Sequence, residues 1–200
     1  MDEKYIYGLI GMLLVAFLAY TRELLNEKRV RKKEAEYLAI RLVCIFDSFM
    51  DGCAKIAGDD GLYMGQRNAE GFLEFQAELP LIDVQLSDVN WKAITPLLMY
   101  EILSFQNLIN DANSYISCAF EYAFCPPDED DGFEERQYQY ALLGLKADEL
   151  SKALRYKYKI PQRAPREWGG VDYMAMTKNR ITKLREDRAI QNRNAPKVEF

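Results

Sequence analysis

The chain has 200 residues, 26 of them basic and 31 acidic, with four cysteines, no histidine and a formal net charge of −5. Without histidine, Ser-His-Asp and Cys-His catalysis and the His-containing zinc sets are excluded. The charge is segregated: residues 22–34 carry six basic against three acidic groups, residues 35–154 seven against 21, and residues 155–200 twelve against five. So acidic a body argues against nucleic acid as the main partner.

Residues 1–4 form a short polar tail. From Tyr5 to Thr21 no charged residue, Pro, Asn or Gln occurs. As a helix this run measures roughly 25 Å, enough for a thin bilayer core. Tyr5, Tyr7 and Tyr20 stand at its ends, where amphipathic rings favour the water–lipid boundary. A cleaved signal peptide would need a basic start and an Ala-x-Ala-like cut site, whereas the chain opens Met-Asp-Glu-Lys. A buried core helix seldom lacks polar residues on every face. The run therefore predicts a single transmembrane helix.

Arg22, Lys28, Arg29, Arg31, Lys32 and Lys33 follow the run, against Lys4 alone before it. Basic residues near a span stay on the cytoplasmic side. The expected location is the cell's inner (plasma) membrane, with the N-terminus outside and the rest cytoplasmic. Residues 22–34 then form a basic juxtamembrane stalk suited to an anionic inner leaflet. Gly8 and Gly11 are three apart rather than four, so a packing seam between spans is only weakly supported.

Residues 35–160 read as an acidic helical bundle. Leu38, Leu42, Ile45, Phe49 and Ile56 repeat at helical spacing, widened by Val43, Phe46, Met50 and Cys53. One helix from near Tyr5 to Ala57 is the simplest reading, with Asn26 as the place for a break. Residues 58–71 are a Gly- and Asp-rich loop. Over 72–91 the alternation Leu73, Phe75, Ala77, Leu79 and then Ile82, Val84, Leu86 predicts extended chain or a small hairpin. The helix formers before Pro80 leave a short helix as the rival reading.

Thr95-Pro96 opens a second core helix, with Leu98, Ile102, Phe105, Ile109, Ala112, Ile116, Ala119 and Ala123 in register and room for a kink among Ser104, Asn107, Asn110 and Asn113. It ends before Pro126-Pro127. The loop Asp128 to Gly132 lacks the twelve-residue ligand spread of an EF-hand and reads as solvated charge before a helix. A third helix, from about Phe133 to Lys159, turns Tyr140, Leu143, Ala147, Leu150 and Leu154 to one side. Residues 161–190 contain a peripheral basic helix from about Asp172, with a thin stripe of Met174, Ile181 and Leu184, and residues 191–200 read as a disordered tail.

The run Phe-Glu-Glu-Arg-Gln-Tyr-Gln-Tyr-Ala-Leu-Leu-Gly-Leu-Lys-Ala at 133–147, with Ala-Phe-Glu-Tyr-Ala before it, resembles uncharacterised bacterial proteins that carry one N-terminal span and a helical cytoplasmic part. The resemblance covers most of residues 34–160 and implies no function. The fold class is thus all-α: a transmembrane helix continuing into a bundle of three to four helices.

Candidate chemistry is sparse. Glu134, Glu135, Arg136, Gln137, Tyr138 and Tyr140 concentrate polar groups, which suits paired-carboxylate chemistry or, more simply, an exposed helix start. Cys44, Cys53, Cys118 and Cys125 lack metal-binding spacing, and in a reducing compartment they read as free, mostly buried thiols. No cofactor and no metal is expected. The expected contacts are with the membrane surface, through the six stalk residues and Arg180, Lys183, Arg185 and Arg188. The alternative folds those four back onto the acidic middle, with Asp128 to Asp131 as target. The function expected is a membrane-tethered interaction or scaffold module with a protein partner or a second copy. The alternative is a small membrane-associated enzyme or ligand sensor using acidic groups between helices.

Overall fold

The computed structural model describes the backbone of residues 3–84, 86–122, 129–164 and 169–194, and their side chains from residue 11 onward except 129, 130 and 194. Helix α1 runs Glu3–Ala57 without interruption, about 82 Å at 1.5 Å per residue. A 3₁₀ turn covers Trp91–Ala93. Helices α2 (Pro96–Leu103), α3 (Phe105–Tyr122), α4 (Glu129–Tyr158) and α5 (Gly170–Asn194) follow. The chain is all-α, and no strand occurs among the described residues, only an isolated bridge between Tyr63 and Gln66.

The bundle begins at Ala35. Its core joins Leu38, Leu42, Phe46, Phe49 and Ile56 of α1 to Ile102, Phe105 and Ile109 of α2–α3, and to Tyr140, Leu143, Leu150 and Leu154 of α4. Phe105 meets Phe46 and Phe49 edge-on at 5.3 and 5.4 Å, a geometry that adds to the burial of three rings. The stripes expected on α1 and α4 are the buried ones, except that Ile45 is only half-buried. No break occurs at Asn26, and Gly52 faces Pro80.

The second expected helix is divided. Ser104 separates α2 from α3, with its amide donating to Tyr100 O at 2.8 Å and its hydroxyl to Glu101 O at 3.2 Å. This side chain competes with the helical ladder, the usual behaviour of serine. Residues 72–91 form neither the hairpin nor the rival helix. The described ones, 72–84 and 86–90, are irregular chain leading to the 3₁₀ turn, with Val84 buried. The thiols differ from expectation: Cys53 is buried and its thiol pushed well up by desolvation, but Cys44 and Cys118 are exposed. Cys125 lies outside the described residues.

Residues 11–30 of α1 stand clear of the bundle, and from Met12 to Tyr20 the apolar side chains on every face are exposed. Among the described residues no helix is long and apolar enough to cross a membrane. The span expected over 5–21 is thus not supported by them, and positions 5–10 lie outside the described side chains.

Candidate functional site

Three polar assemblies sit on this frame. The most buried is at the end of the bundle away from the stalk. Asp59, two residues beyond α1, has a carboxylate only 2% exposed. Its Oδ1 accepts from the Gly61 amide at 3.0 Å, closing an Asx turn. Its Oδ2 accepts from the amides of Gln76 at 3.0 Å and Ala77 at 2.9 Å, and from Arg136 Nη1 at 2.7 Å. The other guanidinium nitrogen of Arg136 donates to the Ala77 carbonyl, and the group lies 4.5 Å over the Phe75 ring.

Phe75 packs in turn with Phe120 and Phe133, centroids 5.0–5.5 Å apart. Gly61 has φ +78°, and a Cβ there would lie 2.6 Å from the Phe133 ring, so the turn demands glycine. The node ties residues 59–77 to α4 through a fully satisfied buried charge pair. Beside it a groove of about 1050 Å³ runs between residues 75–79 and α3, with Phe75, Leu79, Ile116 and Phe120 on its walls.

The second assembly lies between α1 and α4. Asp47 accepts from the Ser151 hydroxyl at 2.7 Å and from Arg155 Nη2 at 2.6 Å, and Arg163 donates to Asp51 at 2.6 Å. Lys152 pairs with Asp148 at 2.7 Å. A hollow of about 220 Å³ is lined by all of these and by Gly169 and Gly170 at the start of α5. Three carboxylates converge there, each beside a cation at salt-bridge distance, so none stands as an unpaired base. Among the described residues no group of three or more Asp, Glu or Cys side chains could hold a metal ion, and no buried side-chain N or O lacks a hydrogen-bond partner.

The third assembly is α5 against the first turns of α4. Met174 and Ile181 are buried, and Met174 lies against Gly144, whose Cβ, if present, would also sit 2.8 Å from the Cβ of Cys53. That close approach seats α5. Arg180 then donates to Gln137 at 2.8 Å. Arg185 reaches Glu135 at 2.6 Å and Glu134 at 3.5 Å, stacked 4.4 Å over Tyr138. Arg188 reaches Asp131 at 3.1 Å and Glu134 at 3.2 Å. Of the two partners left open for the α5 basic residues, the geometry supplies the intramolecular one, because the acidic start of α4 is already within reach. Lys183, the fourth, is exposed and takes no part in these contacts. Asp128 lies outside the described residues.

The stalk behaves otherwise. Arg22, Lys28, Arg29, Arg31, Lys32 and Lys33 are all exposed. Lys32 approaches Glu36 at 3.7 Å, and Arg31 donates to the Lys92 carbonyl at 2.6 Å. Arg41 and Asp88 bond at 2.8 Å, which holds the carboxyl below its usual range and raises the guanidinium.

Sequence reasoning singled out Arg136 but missed Asp59 and the burial of the pair they form. Arg136 and Gln137 are buried, so the start of α4 is not simply the exposed helix end it resembles. The signal that was present is Gly58-Asp59-Asp60-Gly61 directly after a helix, an Asx-turn pattern. No protein-family model matches the chain, no curated protein matches it in sequence, and no solved structure matches it in fold.

Proposed function

We propose that the protein is a membrane-tethered interaction module: α1 is anchored in the inner leaflet's membrane by residues 5–21, and the bundle is held on the cytoplasmic side for a protein partner or a second copy. The observation that carries this reading is one unbroken helix. It is apolar and uncovered on every face from Met12 to Tyr20, then basic and exposed from Arg22 to Lys33, then buried as a bundle core from Ala35. An apolar helix with no covering layer needs a solvent other than water. The basic flank sets the orientation and suits anionic lipid.

The groove beside Phe75 and Phe120 supports the partner half of the reading, since exposed apolar walls on a rigid frame are the usual seat of a protein ligand. The enzyme reading has one observation in its favour, the hollow lined by Asp47, Asp51 and Asp148, and against it the pairing of each carboxylate.

The test is alkaline extraction and flotation of the full chain, with a reporter fused after Phe200 that is active only in the cytoplasm. Retention in the membrane with an active reporter is expected. Release by alkaline carbonate removes the anchor, and activity of a periplasmic reporter alone reverses the orientation.

A further inference from the structure

We infer that the stalk-side end of the bundle, formed by the 3₁₀ turn, the first turn of α2 and the last turn of α4, is a docking face for an anionic membrane surface. This rests on the membrane anchor proposed above. Their contacts place the three elements together beside the stalk. Arg31 bonds the Lys92 carbonyl at 2.6 Å, Asn90 bonds Glu34 at 2.8 Å, and Lys157 bonds Thr95 Oγ1 at 2.6 Å. Lys92, Lys157 and Lys159 are exposed there, as are Leu97 at 72% and Tyr156 at 87%.

The charge balance favours anionic lipid. Of the acidic groups at this end, Glu36 stands near Lys32 and Asp88 is paired with Arg41, while Glu34 accepts from the neutral Asn90 and keeps its charge, so the exposed lysines outnumber the unpaired carboxylate. The combination of long cationic side chains with an exposed tyrosine and leucine is that of an interfacial surface.

Lys159 gives a separate reason. It follows α4 at φ +54°, where the chain reverses and Ile160 N bonds Arg155 O at 3.0 Å. Glycine occupies such a position without strain, and a lysine does not. A cation is thus kept, exposed, at a position that glycine would fill more easily.

The distances agree. Thr21, the end of the apolar run, is ten residues from Arg31, about 15 Å along the helix. The headgroup layer takes up roughly 5–7 Å of this, leaving a gap near the ~8 Å screening length of physiological salt. The 3₁₀ turn and the ends of α2 and α4 lie to one side of α1, so a tilt within the ordinary range of about 0–40° lowers them onto the headgroups.

The test uses the full chain in lipid nanodiscs, either zwitterionic or containing anionic lipid. A benzoylphenylalanine photocrosslinker replaces Tyr156, or Met176 on α5 as the distant control. Position 156 is expected to crosslink lipid in anionic discs at low salt, with the yield falling several-fold in zwitterionic discs, at high salt, or when Lys92, Lys157 and Lys159 are all changed to Gln. Lys159→Gly separates docking from folding: thermal stability is kept or raised as the strain is relieved, while the crosslink yield drops. Equal yields from positions 156 and 176, or equal yields in both lipids, in a chain that has inserted, overturn the docking face alone. A chain that inserts in neither disc overturns the anchor and the docking face together.

Discussion

The stalk and helix α5 both bring runs of Lys and Arg, and they meet different fates. Along the stalk the six cations stay exposed. On α5, Arg180, Arg185 and Arg188 are taken up by Gln137, Glu135, Glu134 and Asp131. What separates them is the neighbour rather than the run itself. The stalk has no packed helix beside it, whereas α5 is pinned by Met174 and Ile181 onto the helix whose first turns carry acid. The two sets also lie toward opposite ends of the bundle: Thr177 of α5 bonds the carbonyl of Ala57 at 3.5 Å, whereas Arg31 lies near the stalk-side 3₁₀ turn. A single flat surface therefore does not serve both while α1 is straight.

The most severe way to break this contrast is to remove the far end altogether. Asp59→Ala leaves the Arg136 charge buried with no anion beside it, and should cost about 3–5 kcal/mol. Urea unfolding of the full chain in detergent reads this, and a loss below about 1 kcal/mol would mean that Arg136 escapes to water.

A milder route unseats α5. Alanine normally improves a helix interior, yet Gly144→Ala should destabilise by about 1–3 kcal/mol, because the added methyl meets Met174 and Cys53. An unchanged or raised midpoint would show that α5 does not press on α4 there.

Weaker still is Arg185→Gln, expected to cost roughly 0.5–1 kcal/mol, since the Arg185 side chain is itself 37% exposed. A double-mutant cycle with Glu135→Gln should show coupling of a few tenths of a kcal/mol or more. Zero coupling would return Arg185 to the status of a stalk cation.

The smallest effect belongs to the stalk. Changing Arg29, Lys32 and Lys33 to Gln should move stability by less than about 0.5 kcal/mol. Binding of the full chain to anionic over neutral vesicles should nevertheless weaken, as each cation near such a surface is worth about 1 kcal/mol. A large loss of stability instead would show the stalk packed against something within the fold.

Periodicity carried most of the fold. Leu38, Leu42, Phe49, Tyr140, Leu150 and Leu154 stand at helical spacing and are buried, because one face of each helix has to leave water. The split at Ser104 was legible only as a loosened stretch, since the side chain competes with the backbone without announcing where. Over 72–91 the alternation pointed rightly away from a helix but wrongly toward a hairpin: Phe75 and Leu79 face a groove and not a partner strand. The Asp59–Arg136 pair was out of reach because its members are 77 residues apart and each looks locally like surface charge.

The continuity of α1 has a mechanical consequence. With no break between Glu3 and Ala57, the exposed apolar run and the bundle share one axis and one angular phase. Each residue added to the stalk turns the whole bundle by about 100° and lifts it by about 1.5 Å. One inserted residue would swing Lys157 and Tyr156 to another azimuth, whereas seven would nearly restore the azimuth while raising the bundle by about 10 Å. The stalk is thus a shaft whose length sets the heading of everything mounted on it.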